Sequence, residues 1–232
     1  MIVPQLPLAL RYTPDQRFDR FIAAPEGALE QLRLLSASLQ ADWLYLTGLP
    51  GTGKTHLCIS VCAAAEQAGM RALYVPLATA RGRVRDALDA LERHDVVALD
   101  GLDAIAGDAD DELALFDFHN RARAASQNVV YTANLAPDAL PITLPDLRSR
   151  LSQCTRITLH SLDDEGRRSL LRDRAQRRGL IVEEAAFDWM LTHCERDPAT
   201  LTALLDRLDR ESLAAQRRIT VPFVRRIVEA AG

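Results

Sequence analysis

Lysine is all but missing from this chain: of 28 basic residues, Lys54 is the single lysine and the other 27 are arginine. Cysteine is scarce as well. Cys58, Cys62, Cys154 and Cys194 form no CxxC pair and meet no histidine at zinc-finger spacing. That excludes a zinc framework or a disulfide scaffold and leaves them as small buried hydrophobes. No apolar run is long enough to span a bilayer, and residues 1–11 lack the charged and apolar regions of a signal peptide, so a cytoplasmic protein with no membrane partner is expected. An excess of positive charge is also absent: the net charge is −4, and from Asp163 onward 13 acidic side chains face 13 basic ones. Without a basic patch to displace counterions, direct sequence-specific DNA binding is not expected. Neither an internal repeat nor a low-complexity tract is present.

What the chain does have is enough length, 232 residues, for an α/β domain and a small helical appendage. With 48% hydrophobic and 26% charged residues it falls in the globular class. Residues 1–25 hold four prolines and little periodicity, the pattern of an extended arm. Residues 26–40 then place Leu29, Leu32, Leu35 and Leu39 at helical spacing. Short apolar runs at 43–47, 72–75, 96–99, 129–132 and 157–159 alternate with segments that can be helical. Such alternation predicts a parallel sheet covered on both faces. After His160 the period becomes helical throughout, with one stripe at Phe187, Met190, Leu191 and Cys194 and another at Leu201, Leu204, Leu205 and Leu208. Ser161 to Glu165 offer a helix start with acids in its first turn. The expected organisation is an arm over 1–25, an α/β nucleotide-binding domain over 26–161 and a helical lid over 162–232.

Gly48-Leu49-Pro50-Gly51-Thr52-Gly53-Lys54-Thr55 matches the phosphate-loop pattern G-x-x-x-x-G-K-[ST] at every fixed position, after an apolar strand and before a helix. Glycines let backbone N–H groups turn inward around phosphates, and a helix N-terminus adds positive potential. A compact ammonium on a flexible stem suits the β- and γ-phosphates better than a planar fork, so an arginine-rich chain keeps its one lysine there. Thr55 is placed to hold Mg²⁺.

The run Val96-Val97-Ala98-Leu99-Asp100 is a buried strand ending in an acid, the Walker B pattern whose carboxylate completes the Mg²⁺ shell. An ATPase of this class usually follows it with a second acid that orients water; here Gly101 follows, with Asp103 two residues on. Weak or no self-hydrolysis is expected, unless Asp103 substitutes for the missing acid. Asn134 is either a turn residue ahead of Pro137 or a polar group facing the γ-phosphate. Arg148 and Arg150 stand on a short helix before the last strand, where solvated surface arginines and a functional pair look alike.

Together these residues resemble the DnaA branch of the AAA+ proteins. The resemblance runs through Phe18-Asp19-Arg20-Phe21-Ile22, the phosphate loop, Asp100, Arg148-Ser149-Arg150 and Ile219-Thr220-Val221-Pro222-Phe223-Val224. It is similar in particular to the DnaA-homologous regulators, a DnaA-like core without a DNA-reading domain. It implies an AAA+ fold and an adenine nucleotide, ADP or ATP, with Mg²⁺ on Thr55 and Asp100. The implied nucleotide-binding residues are Gly48, Pro50, Gly51, Thr52, Gly53, Lys54, Thr55, His56, Phe21 and the sensor-1 residue Asn134. Arg150 is implied as an arginine finger. Where the family commonly has a sensor-2 arginine, this chain has Ala199.

Gln5-Leu6-Pro7-Leu8-Ala9-Leu10 fits the Q-L-x-L-x-L pattern by which bacterial proteins dock on the replicase sliding clamp, the β subunit of DNA polymerase III. A Pro- and Leu-rich arm lying on its own domain is the alternative to clamp docking. The resemblance implies a negative regulator of replication initiation that docks on the DNA-loaded clamp through Gln5, Leu6, Leu8 and Leu10 and stimulates ATP hydrolysis by DnaA. The competing expectation is an autonomous AAA+ ATPase, a loader of the DnaC-like or transposase-helper kind, against which Gly101 and the arm both argue. Self-association into a homo-oligomer stays open.

Overall fold

β-branched and aromatic residues cluster in five short runs, and each forms a strand of one all-parallel sheet. The computed structural model describes residues 16–38, 41–89, 91, 93–215 and 218–230. The strands are β1 (Leu44–Thr47), β2 (Ala72–Pro76), β3 (Val96–Asp100), β4 (Asn128–Ala133) and β5 (Thr155–Thr158), ordered β2-β3-β4-β1-β5. Parallel strands need crossover connections, so helices lie on both faces.

Alternation along the strands sends residues to two cores. Leu44, Leu46, Val96, Ala98 and Val130 meet Leu32 and Leu35 of α1 (Ala28–Ala37) and Leu57 and Val61 of α2 (Lys54–Gln67). Trp43, Tyr45, Val97, Leu99 and Tyr131 instead face α4 (Val84–Asp89), α5 (Ala109–Ala124) and α6 (Pro145–Ser152), through Leu88, Leu115, Phe118, Leu147 and Leu151. A four-residue turn, α3 (Leu77–Ala80), links β2 to α4.

Two strands begin earlier than the apolar pattern predicts. Asn128 opens β4 because its side-chain amide, buried, donates to the carbonyls of Leu35 and Ser38. β5 starts at Thr155, whose N–H donates to the Trp43 carbonyl at 2.8 Å. Within the stretch expected as an arm, Phe18–Arg20 forms a turn of 3-10 helix and Phe18 is buried between α1 and α2. The ring is large and apolar, and burying it outweighs the cost of ordering a few residues.

Residues 161–232 form a separate compact unit. It contains α7 (Asp164–Arg177), α8 (Glu184–His193), α9 (Pro198–Ala215) and α10 (Val221–Glu229), around Leu171, Phe187, Met190, Leu201, Leu205 and Val224. Asp163 caps α7 by accepting the Gly166 N–H at 2.7 Å. An AAA+ α/β core followed by a helical lid is the architecture that the sequence predicts. Cys58, Cys62 and Cys154 are buried thiols. Among the described residues no helix is long and apolar enough to cross a membrane.

Candidate functional site

Parallel order brings the carboxyl ends of β1, β3 and β4 to one edge, with Thr47 level with Ala133 and Leu99 level with Tyr131. Open α/β sheets bind ligands at this edge. The phosphate loop leaves β1 here and enters α2. At Gly53 φ is +91°, and a Cβ would stand 2.5 Å from Cε2 of Phe21. At Gly48 a Cβ would stand 2.5 Å from the Leu159 carbonyl oxygen. Gly48 therefore requires glycine for space against the backbone, and Gly53 for its conformation, with the Phe21 ring crowding it as well. Gly51 also has positive φ, and the loop is closed on itself where the Thr52 hydroxyl donates to the Leu49 carbonyl at 2.9 Å.

The Lys54 ammonium donates to the carbonyls of Gly48 at 2.6 Å and Leu49 at 2.9 Å. Burial lowers its pKa, while Asp103 and then Asp100 act against that shift. One side of the loop is walled by Phe21, whose ring meets the His56 ring edge-on with centroids 5.4 Å apart. His56 Nε2 is 2.9 Å from the Arg17 carbonyl, which fixes the imidazole on the helix.

Asp100 collects three hydroxyl donors. Thr55 Oγ1 and the Tyr74 phenol donate to its Oδ2 at 2.7 and 2.8 Å, and Thr132 Oγ1 donates to Oδ1 at 2.5 Å. Thr132 Oγ1 in turn accepts the Gly101 N–H at 2.8 Å, which holds the end of the Walker B strand. Burial, then the Asp100 charge, pushes the Tyr74 phenol far up, so it remains a donor. The cluster suits Mg²⁺: Thr55 and Asp100 offer hard oxygens, and neighbouring oxygens of an octahedral Mg²⁺ at roughly 2.1 Å stand about 3 Å apart. Tyr74 and Thr132 escape sequence reasoning, because they reach Asp100 through the order of the strands and not through spacing along the chain.

Gly101 has φ +85° and open space around a Cβ position. Asp103, in the 3-10 turn Leu102–Ala104, accepts the Asn134 backbone N–H with both oxygens, at 3.0 and 2.9 Å. The loop after β4 is further held by Thr47 Oγ1, which donates to the Asn134 carbonyl at 3.3 Å, and by the Tyr45 phenol, which donates to the Leu135 carbonyl at 2.9 Å. The Asn134 side chain is half-buried and makes no hydrogen bond among the described residues.

Arg150 belongs to the other edge. It lies on the last turn of α6, which returns the chain to the start of β5, where Thr155 is level with Leu44, the first residue of β1. Lys54 opens α2, past the loop that leaves the last residue of β1. Arg150 is exposed, and its guanidinium makes no hydrogen bond or ion pair among the described residues. Arg148 donates to the Ile142 carbonyl. Beside Trp43, which precedes β1, His119 stacks on Tyr131, with its Nδ1 3.1 Å from the phenol oxygen. Burial, then Arg123 and Arg150, lowers the His119 imidazole to about 4. The structure thus brings Gly48, Pro50, Gly51, Thr52, Gly53, Lys54, Thr55, His56, Phe21, Asp100 and Asn134 to one edge and sets Arg150 apart. Gln5, Leu6, Leu8 and Leu10 lie outside the described residues.

Comparison with known proteins agrees with this geometry. Residues 44–159 match the model of the ATPase family associated with various cellular activities (AAA), and residues 164–228 match "Hda, lid domain". An uncharacterized protein of Haemophilus influenzae is 35% identical over 226 residues, spanning 97% of this chain and 98% of that protein. Domain III of the replication initiation protein DnaA of Thermotoga maritima superposes with a TM-score of 0.80 at 18% identity, over 94% of this chain and 98% of that one. AMPPCP-bound DnaA of Aquifex aeolicus does so with a TM-score of 0.71 at 18% identity, over 85% of this chain and 66% of that one. The RuvB branch migration motor of Thermotoga maritima gives 0.66 at 21%, over 93% and 72%.

Proposed function

Because this chain belongs to the AAA family of ATPases and carries an Hda lid domain, we propose that it regulates the replication initiator DnaA. In this reading it holds ADP or ATP in its own site and supplies Arg150 in trans to the ATP of a bound DnaA molecule. The observation that carries the reading is the separation of Arg150 from Lys54 and Asp100 across the sheet. An arginine at the amino edge serves a neighbour's phosphate and not its own.

The chemistry follows from charge. During phosphoryl transfer, negative charge spreads over the γ-phosphoryl oxygens, and a guanidinium supplied from outside is worth on the order of 10³–10⁵ in rate. A planar, permanently charged fork in a site closed to water suits that role. In this protein's own site, residues 48–55 would cradle the phosphates and Lys54 would turn from its loop carbonyls to them. Mg²⁺ on Thr55 and Asp100 would neutralise phosphate charge. Phe21 and His56 would border the base. Gly101 supplies no acid to orient water, so the bound nucleotide acts as a ligand. The same reading gives Gln5, Leu6, Leu8 and Leu10 to the DNA-loaded sliding clamp and the protein to the cytoplasm, as a negative regulator of replication initiation.

The test combines the full chain with ATP-loaded DnaA, clamp and DNA and follows conversion of ATP to ADP. Conversion should rise with the unaltered protein and stay at the basal DnaA rate with Arg150→Ala. Equal stimulation by both would overturn the reading. Release from the clamp on changing Gln5 and Leu6 to alanine tests the arm separately.

A further inference from the structure

α5 opens with two consecutive acids that are buried, Asp111 and Glu112. Acids in a first helical turn usually stay in water and favour the helix dipole from there. A carboxylate taken out of water persists only where hydrogen bonds replace its hydration. Asp111 turns toward the start of α4 and accepts the N–H groups of Gly82 at 2.7 Å and Val84 at 3.2 Å. Glu112 is fully buried and ties together two other segments. Its Oε1 accepts the Gly107 N–H at 2.7 Å, at the end of the turn that follows the Walker B strand. Its two oxygens accept the Thr143 N–H at 3.0 and 2.9 Å, and Oε2 accepts the Thr143 hydroxyl at 2.7 Å and the Leu144 N–H at 2.8 Å.

Leu144 is the N-cap residue of α6, and no side chain of α6 caps that end. The helix has only eight residues and is anchored below by Leu147 and Leu151, both buried. A helix this short has little stability of its own, so its axis is set by what holds its ends. Its far end carries Arg150. We propose that Glu112 is the positioning residue for Arg150: by fixing the entry of α6 against the Walker B turn, it sets the direction in which the guanidinium leaves the domain. The proposal rests on the reading of Arg150 as a group that acts in trans.

Every partner of Glu112 is a donor, so an acceptor-only carboxylate fits and an amide does not. Glu112→Gln keeps size and shape but turns an NH₂ toward N–H groups. Leu147 and Leu151 still hold the helix, so α6 stays folded with its entry shifted. A displaced reacting group lowers the turnover of a complex that still assembles.

The experiment measures DnaA ATP hydrolysis, with clamp and DNA, against concentration of the full-length protein for the unaltered chain, Arg150→Ala, Glu112→Gln, Thr143→Val and Asp111→Asn. Glu112→Gln should lower the plateau roughly ten- to a hundredfold and leave the half-saturating concentration in place. Thr143→Val, which loses only the hydroxyl bond, should lower it less. Asp111→Asn should lower stability and keep the plateau. Amide exchange at Thr143 and Leu144 should quicken in free Glu112→Gln. A normal plateau with Glu112→Gln, or an equal loss with Asp111→Asn, overturns the positioning role while Arg150→Ala remains inactive. If Arg150→Ala itself reaches the full plateau, the functional reading falls and this proposal with it. Should Glu112→Gln fail to fold, Thr143→Val decides: a lowered plateau supports the proposal and an unchanged one overturns it.

Discussion

Asp103 accepts the Asn134 backbone N–H with both carboxylate oxygens, at 3.0 and 2.9 Å, and thereby locks the loop after β4 to the Walker B turn. A carboxylate spent on this bond is poorly disposed to orient water at Gly101's side of the site. The purified protein, given Mg²⁺ and ATP, should therefore hydrolyse no faster than background, and Asp103→Asn should change nothing. Phosphate release over several hours measures it. Steady hydrolysis that disappears in Asp103→Asn would assign the acid to catalysis instead.

Gly53 and Phe21 make a second test. Alanine at position 53 meets φ +91° and a ring carbon 2.5 Å from its Cβ. Backbone strain of this kind costs about 1–3 kcal/mol, with the ring's displacement added. Removing the ring by Phe21→Ala should reduce the cost of Gly53→Ala without abolishing it, because only the steric part is relieved. Urea unfolding of the two single variants and the double variant measures the coupling. An unchanged cost in both backgrounds would mean that the ring does not sit on the loop.

These contacts lie beyond what local sequence patterns declare. Gly48, Gly53, Lys54 and Asp100 declare themselves through local spacing, since a phosphate loop and a buried strand ending in an acid are contiguous patterns. The parallel sheet follows from the same alternation. Tyr74 and Thr132 do not declare themselves, because a tyrosine and a threonine in strands are ordinary until strand order puts both beside Asp100. Asp103 and Asn134 each stand out alone, but their bond joins residues 31 positions apart. Glu112 reads as one more acid at a helix start. Only the return of the chain at Thr143 reveals what it holds.

His119 sets a pH dependence. Burial, then Arg123 and Arg150, lowers its imidazole from 6.5 to about 4. The unfolded chain therefore takes up the proton first as pH falls. The stability that neutral His119 contributes is complete above pH 6.5 and is lost on descending toward pH 4. The whole loss is on the order of 3 kcal/mol. Urea midpoints measured across this window should fall for the unaltered protein and fall less for His119→Gln. In Arg150→Ala the imidazole should titrate at a higher pH by NMR, and an unmoved titration would separate Arg150 from this edge of the sheet.

The last prediction sets Arg150 against Arg148. Residues two apart on a helix point to nearly opposite sides. Arg148 is engaged, donating to the Ile142 carbonyl just before α6, whereas the Arg150 guanidinium has no partner among the described residues. One arginine is thus held against its own domain and the other is free to meet a phosphate outside the molecule. Arg150→Lys keeps the charge but gives up the planar fork, and should lose roughly ten- to a hundredfold of the DnaA stimulation, since an ammonium cannot engage two phosphoryl oxygens in the same geometry. Arg148→Ala should cost roughly 0.5–1.5 kcal/mol in stability, the worth of one hydrogen bond, and leave the plateau of stimulation intact. Conversion of DnaA-bound ATP, measured with both variants at saturating concentration, separates charge from geometry and one arginine from the other. Full stimulation by Arg150→Lys would reduce the finger to a point charge. Loss of stimulation in Arg148→Ala alone would transfer the role to the residue that the fold holds down.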